Sequence, residues 1–198
     1  YNMAHYFEND DSVISEPATI TYDFQGQHLT YTTDHGVFSR QRLDYGSRVL
    51  MDAIDIGNAK SMLDVGCGYG TMGIALKSVH EDLQVLMTDV NKRAISLAKE
   101  NIMCNNLEGI DVIESDVYEN VHDRYDLVIS NPPIRAGKKV VSAIISGSYD
   151  HLNEGGRLVI VIQKKQGAPS AKKLMEEIFG NATVIKKDKG YYILQSYK

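Results

Sequence analysis

No apolar run in the chain approaches the roughly 18 residues that a membrane-crossing helix needs. No signal-peptide pattern opens it either. Cysteine is nearly absent. Cys67 and Cys104 are the only two, without a Cys-x-x-Cys pair or a histidine cluster beside them. That excludes a disulfide framework and a zinc site of ordinary spacing, and the expected setting is a reducing cytoplasm. Positive charge is short as well, with 21 Lys+Arg against 26 Asp+Glu and a net charge of −5, which argues against a generally basic nucleic-acid binder. There are no internal repeats and no low-complexity linker. What is present, 198 residues of which 43% are hydrophobic, fits one globular domain with a full core. Proline is sparse too, and two of the 4 stand together at Pro132-Pro133.

Charge is unevenly spread. Up to Ile134 the chain carries 9 Lys+Arg and 21 Asp+Glu; from Arg135 onward it carries 12 and 5. A basic last third on an acidic protein reads either as a footprint for a polyanion or as solvated helix faces.

Residues 1–16 are polar and acidic and read as a loosely held arm. β-Branched and aromatic residues at 19–24 and 28–32 flank Gln25-Gly26-Gln27, the pattern of a hairpin. A helix is expected over 42–54, capped by Ser39 and ended by Gly57-Asn58. From Ser61 strands alternate with helices. Strands are expected at 62–65, 83–88, 110–113, 127–129, 157–162, 182–185 and 191–194, and helices at 71–79, 91–104 (with Asn91 as cap), 138–152 and 170–179. Gly155-Gly156 reads as the turn into the fifth strand, and 186–190 as a short basic turn joining the last two. Such alternation means a parallel sheet covered on both faces. The short last connection makes the final strand antiparallel. The expected fold is therefore α/β: a doubly wound, mostly parallel seven-stranded sheet, with an arm, hairpin and helix in 1–60 and the ligand-holding core in 61–198, all in a single domain.

Two stretches carry chemistry. The first, Asp64-Val65-Gly66-Cys67-Gly68-Tyr69-Gly70-Thr71-Met72-Gly73, lies between the first core strand and its helix. Open parallel sheets bind ligands beyond the carboxyl ends of their strands, and glycine there lets the backbone approach a ligand closely. Gly68-x-Gly70-x-x-Gly73, with Asp89 about 20 residues on, satisfies the dinucleotide pattern, so a dehydrogenase is one reading. The register speaks against it. The strand ends at Asp64-Val65, so the first loop glycine is Gly66, and a carboxylate at Asp64 is out of place beside a pyrophosphate. It suits an ammonium or a sulfonium. The second stretch is Ile129-Ser130-Asn131-Pro132-Pro133-Ile134. Neither proline donates an N–H, and Asn131 is pushed out of helical geometry, which makes a stiff corner at a strand end. Alone it reads as a rigid loop.

Taken in order, the signals are Asp-x-Gly-x-Gly-x-Gly at 64–70, Asp89 ending the second core strand, Asp116 ending the third and Asn-Pro-Pro after the fourth. Over 61–197 this order resembles the class I S-adenosylmethionine-dependent methyltransferases. The resemblance implies their Rossmann-like sheet and S-adenosyl-L-methionine as cofactor. It implies Asp64, Gly66, Gly68 and Gly70 at the methionine end, Asp89 on the ribose hydroxyls, Val90 against adenine and Asp116 accepting from the adenine amino group. Asn131-Pro132-Pro133-Ile134 is similar to the Asn-Pro-Pro-aromatic motif of amino-group methyltransferases, which act on exocyclic amines of bases or on glutamine amides. In that likeness Asn131 and Pro132 offer one carbonyl each to the two N–H bonds of the amine, and no metal is required. Ile134 stands where many relatives have an aromatic ring; Phe38 is a candidate replacement, or a core residue.

A narrower likeness is carried by Thr33-Asp34-His35-Gly36-Val37-Phe38-Ser39, by Arg42-Leu43-Asp44-Tyr45-Gly46-Ser47 and by Asn-Pro-Pro-Ile-Arg-Ala-Gly-Lys at 131–138. It is to the small-subunit ribosomal RNA guanine-N2 methyltransferases and their single-domain relatives, over 19–197. It implies methylation of guanine N2 in ribosomal RNA. Arg135, Lys138 and Lys139 directly follow the corner and read either as phosphate contacts near the target base or as surface residues of the next helix. Two-domain members join a similar catalytic half to an inactive one, and this sequence carries only the one. Methylation of a protein glutamine or another base is the alternative enzyme reading. A cofactor-binding module that has lost catalysis and binds RNA or ribosomes is the alternative outside enzymes.

Overall fold

Strand and helix periods decide the architecture. In the computed structural model, which describes residues 14–36, 38 and 42–198, alternate strand residues go to opposite faces of one large sheet. The expected arm before residue 14 and the expected cap Ser39 lie outside the described residues. A hairpin comes first, β1 (Pro17–Phe24) and β2 (Gln27–Asp34), then α1 (Tyr45–Ala53). The sheet follows as β3 (Ser61–Val65), α2 (Thr71–Val79), β4 (Gln84–Asp89), α3 (Lys92–Cys104), β5 (Ile110–Glu114), β6 (Tyr125–Ser130), α4 (Gly137–Ser148), β7 (Leu152–Gln163), α5 (Ala168–Phe179), β8 (Thr183–Asp188) and β9 (Tyr191–Tyr197). The strand order is β5-β4-β3-β6-β7-β9-β8. The first five of these run parallel, and β9 is antiparallel to both β7 and β8. The doubly wound seven-stranded α/β sheet is the one the alternation implied.

Met62, Leu127, Ile129, Val159 and Val161 build the core on one face, where the hairpin adds Phe24, Leu29 and Tyr31. Leu63, Val65, Val128, Leu158 and Ile160 build the core on the other. Among the described residues no helix is long and apolar enough to cross a membrane.

Several boundaries differ from expectation. The first helix begins at Tyr45 rather than at residue 42, because the Asp44 carboxylate accepts from Ser47 N (3.2 Å) and caps it. Leu43 is buried ahead of the helix, not on its face. The helix expected over 138–152 ends at Ser148 and tightens into a 3₁₀ turn at Tyr149–His151. Gly155-Gly156 is no turn between elements: β7 runs through it, and the register against β6 slips between Tyr125 and Leu127. A Cβ on Gly156 would lie 2.9 Å from the Asp126 carbonyl oxygen, so the glycine admits a backbone contact at a bulge. The last two strands extend to Asp188 and from Tyr191, which shrinks the basic turn to Lys189-Gly190.

The hairpin joins the sheet domain without joining the sheet. Asn101 on α3 accepts from Thr32 N (2.7 Å) and donates to Thr32 O (2.9 Å), and Asn105, one turn on, pairs with Thr30 N (3.0 Å) and Thr30 O (2.8 Å). The two amides stand in for a neighbouring strand. Asn101 also donates to the Tyr69 carbonyl in the glycine loop (2.9 Å). Asn101→Leu keeps the volume but strips partners from three backbone groups. We expect it to lower unfolding free energy by about 3 kcal/mol in urea titration, since unpaired buried polar groups cost about 1–3 kcal/mol each. A loss under about 1 kcal/mol would show that water replaces the asparagine.

Candidate functional site

Strand order reverses between β3 and β6, where an open α/β sheet leaves a crevice at its carboxyl edge. The glycine loop leaves β3 and the proline corner leaves β6, side by side. Val65 and Ser130 are in register, and the buried Ser130 hydroxyl donates to Val65 O at 2.7 Å.

Gly66, Gly68 and Gly70 have φ of 76°, 58° and 103°, the left-handed region that side chains resist. A Cβ on Gly66 would meet nothing within 4 Å, so the loop is open there. Gly73 differs. It lies within α2, and its Cβ would fall 2.5 Å from Met87 Sδ, so its smallness seats the helix on β4. The loop glycines are therefore the alternate set beginning at Gly66, and Gly73 is a packing residue.

Two acids hold the loop, and a third, Asp116, follows β5. Asp89 accepts from Gly68 N through Oδ2 and from Asn91 N through Oδ1, both at 2.9 Å. Burial pushes its pKa up despite these bonds. Half-buried Val90 follows it. Asp64 is fully buried, accepts from Gly73 N through Oδ2 (3.2 Å), and has its carboxyl pushed up to about 7 by that burial. Its Oδ1 is buried with no hydrogen-bond partner among the described residues, and so is Asp116 Oδ1. Two orphaned acceptors at the carboxyl edge of the sheet fit a ligand that brings donors, such as an ammonium to Asp64 and an aromatic amine to Asp116.

A cationic ligand seated against Asp64 would bind with a dependence on pH. The raised pKa of Asp64 favours the ligand-free fold below the ordinary carboxylate range, and that contribution is lost as pH rises through about 7. A cationic ligand favours the ionised form instead. Affinity for S-adenosylmethionine is thus expected to rise from pH about 5.5 to about 7 and then level, with a proton released below 7. Calorimetry in buffers of different ionisation enthalpy reads that proton, and none released at about pH 6 would remove Asp64 from the linkage.

At the corner, Asn131 Nδ2 donates to Asp44 Oδ2 (2.7 Å) and to Ser47 Oγ (2.9 Å). A carboxylate only accepts, so chemistry fixes which end of the amide faces α1. Both amide hydrogens are used, and Oδ1 remains as an acceptor. Asn131 lines a cavity of about 1160 Å³ together with Phe38, Tyr69, Pro132, Pro133, Arg135 and Lys138. Pro132 is buried and Pro133 half-buried. Phe38 packs edge-on to Tyr69, centroids 5.2 Å apart, and its ring lies 3.7 Å from where a Gly68 Cβ would be. It therefore serves the core and the cavity wall together. Lys139 is exposed but is not part of that wall. The Ile134 side chain lies outside the described residues. Among the described residues no group of three or more His, Cys, Asp or Glu is placed to hold a metal ion.

Asp44 and Ser47 were not singled out from sequence as site residues. They stand 87 and 84 residues before Asn131, and only the Asp-Tyr-Gly-Ser string in the narrower likeness marked their neighbourhood.

A family profile described as "Methyltransferase small domain" matches residues 28–195. The chain is 44% identical over 197 residues to the uncharacterized protein YbxB of Bacillus subtilis, covering 98% of each. It is 36% identical over 174 residues to ribosomal RNA small subunit methyltransferase C of Erwinia tasmaniensis, covering 86% of this chain and 50% of that one. A structure of the T. thermophilus 16S rRNA N2 methyltransferase RsmC, in complex with AdoMet and guanosine, matches with a TM-score of 0.82 at 24% identity. That match covers 92% of this chain and 50% of the other, and it establishes the fold. The chain thus spans about half the length of its methyltransferase C relatives and nearly all of the B. subtilis protein.

Proposed function

The chain belongs to the methyltransferase small-domain family, and from that premise we propose that it methylates an exocyclic amino group of an RNA base, guanine N2 of ribosomal RNA foremost, using S-adenosyl-L-methionine. The observation that supports this most is the acceptor-only face of Asn131. With both Nδ2 hydrogens given to Asp44 and Ser47, what this cavity-lining side chain has left to offer is a carbonyl oxygen, which accepts from a donor and repels another acceptor. An amine has two N–H bonds to give there.

An amino group conjugated with a ring is a poor nucleophile, because its lone pair is delocalised. Asn131 Oδ1 accepts one N–H, and the Pro132 carbonyl, fixed by a rigid ring, accepts the other. Holding both hydrogens out of the ring plane turns the lone pair away from the ring system, toward the side of the glycine loop. Asp64 and the loop glycines hold the cofactor's methionine end, Asp89 its ribose, Val90 and Asp116 its adenine. When bound, the cofactor supplies a methyl group already activated on a sulfonium. After transfer the nitrogen sheds a proton to solvent, which asks no strong base of the protein. Ribosomal RNA is favoured over protein glutamine by the relatives of 36% identity and by the cationic wall at Arg135 and Lys138.

The test is tritiated-methyl transfer to RNA and protein fractions from cells lacking this protein, followed by nucleoside analysis. Label is expected in ribosomal RNA as N2-methylguanosine. Label confined to protein, or to a base methylated on a ring nitrogen, would overturn the proposal.

A further inference from the structure

The large cavity extends well past the corner. Beyond Asn131 it runs between α4 and α5, over the carboxyl end of β7, where half-buried Val141 and Leu174 give it an apolar lining. Its cationic walls carry Arg135 and Lys138 on one side and Lys165 on the other. A second, shallower cavity of about 540 Å³ adjoins it, shares Gln163 and Lys165 with it, and adds Lys164 and Lys189. Asp44 is the one acidic residue lining either cavity among the described residues, and it is engaged with Asn131. Lys138, Lys164 and Lys165 make no ion pair among the described residues. Lys189 lies 5.1 Å from the centre of the Tyr45 ring, and Tyr45 packs on Tyr191, which lines the large cavity.

We infer that this groove is the path of the RNA strand flanking the target nucleotide. The inference rests on the proposed methylation of an RNA base and goes beyond it by giving the strand a direction: across α4 and α5 toward the β8–β9 turn, away from α3 and β5. The size points the same way. Small-ligand pockets hold roughly 300–1,000 Å³, so the larger cavity alone exceeds what one nucleoside fills. An apolar lining between cationic walls matches single-stranded RNA, which offers flat base faces inside and phosphates along its edge. A duplex would bury its base faces and have no use for that lining. The groove also accounts for part of the uneven charge, because five of the 12 cationic residues after Ile134 line these two cavities.

The test uses an unstructured 12-nucleotide RNA containing guanine, with its binding followed by fluorescence anisotropy over a range of KCl. Three proteins are compared: wild type, K138Q/K165Q, and K99Q, whose lysine is exposed on α3. Each phosphate contact on a single strand contributes about 0.7 to the slope of log K against log salt. K138Q/K165Q is therefore expected to flatten the slope by about 1.4 and to weaken binding about tenfold or more at low salt, with K99Q unchanged. Thermal melting and cofactor titration confirm that the double variant is folded. A K138Q/K165Q protein with the slope and affinity of wild type would overturn the path, as would an equal loss in K99Q. So would wild type preferring poly-glutamate to RNA, which would make the groove a protein-docking surface. Methyl transfer to RNA is read in parallel. If wild type labels RNA while the double variant binds as wild type does, the path alone fails. If wild type labels none, the methylation proposal fails with it.

Discussion

Asn131→Ala is expected to lower kcat by about 100-fold or more while leaving the dissociation constant for S-adenosylmethionine within about threefold of wild type, on the scale of removing one oriented polar group from a reacting centre. A 100-fold loss corresponds to about 2.7 kcal/mol of barrier. On the proposed mechanism the effect falls on turnover, because Oδ1 would be needed while the amine is being turned, and less while the cofactor settles into its loop. Single-turnover transfer to RNA, with calorimetry for the cofactor, separates the two. The anchors give a graded series. Ser47→Ala removes one of the two acceptors for Nδ2 and leaves the Asp44 cap in place, so kcat should fall several-fold. Asp44→Asn keeps an acceptor oxygen and a capping side chain and should retain most activity, whereas Asp44→Ala should approach Asn131→Ala. If Asp44→Ala keeps the kcat of wild type, Asp44 does not anchor Asn131 for turnover. Activity above about a tenth in Asn131→Ala would remove the lone-pair mechanism.

Asp89→Ala should do the opposite, weakening S-adenosylmethionine binding about 100-fold with kcat at saturating cofactor little changed. The carboxylate has two duties. It holds Gly68 N and Asn91 N, each at 2.9 Å, so it shapes the loop before any ligand arrives. Its remaining lone pairs suit a vicinal diol. Hydrogen bonds to charged groups contribute about 1.5–3 kcal/mol each, so losing both duties reaches the 100-fold range. Asp89→Asn keeps acceptor oxygen but gives up charge and one acceptor, and about tenfold is expected. Equilibrium dialysis with labelled cofactor measures both. A change under about threefold in Asp89→Ala would move the ribose site elsewhere.

Sequence made the sheet legible because the two periods are unlike. Leu127-Val128-Ile129, wholly buried, could only be an inner strand, and Asn91 before Lys92–Cys104 carried its own capping signal, confirmed by its bond to Ala94 N. Local patterns misled where tertiary contacts intervened. Gly155-Gly156 looks like a turn because glycine pairs usually are, yet here the pair lets the Asp126 backbone crowd a continuous strand. The first helix looked longer because Leu43 fits its apolar spacing although it packs outside the helix. At the candidate site, Asp64, Asp89, Asp116 and the three loop glycines could be nominated in line, since each sits at or just past the carboxyl end of a strand. The clasp of Asn131 by Asp44 and Ser47 could not, because no local rule relates residues more than 80 positions apart. Nor does a sequence show which buried oxygen lacks a donor.

The asparagine pair at the end of α3, Asn101 and its C-cap Asn105, sets a clock as well as a contact. Thr30 and Thr32 lie on the side of β2 that faces away from β1, where a bare two-stranded ribbon would trade its amide protons with water freely. With Asn101 and Asn105 accepting those protons, exchange waits until the asparagines let go. Asn101 cannot let go alone, since the same amide grips the Tyr69 carbonyl between the loop glycines. The Thr32 amide therefore keeps time for the glycine loop: its deuterium uptake should slow whenever a ligand quiets that loop, a signal from a hairpin that pairs with no strand of the large sheet.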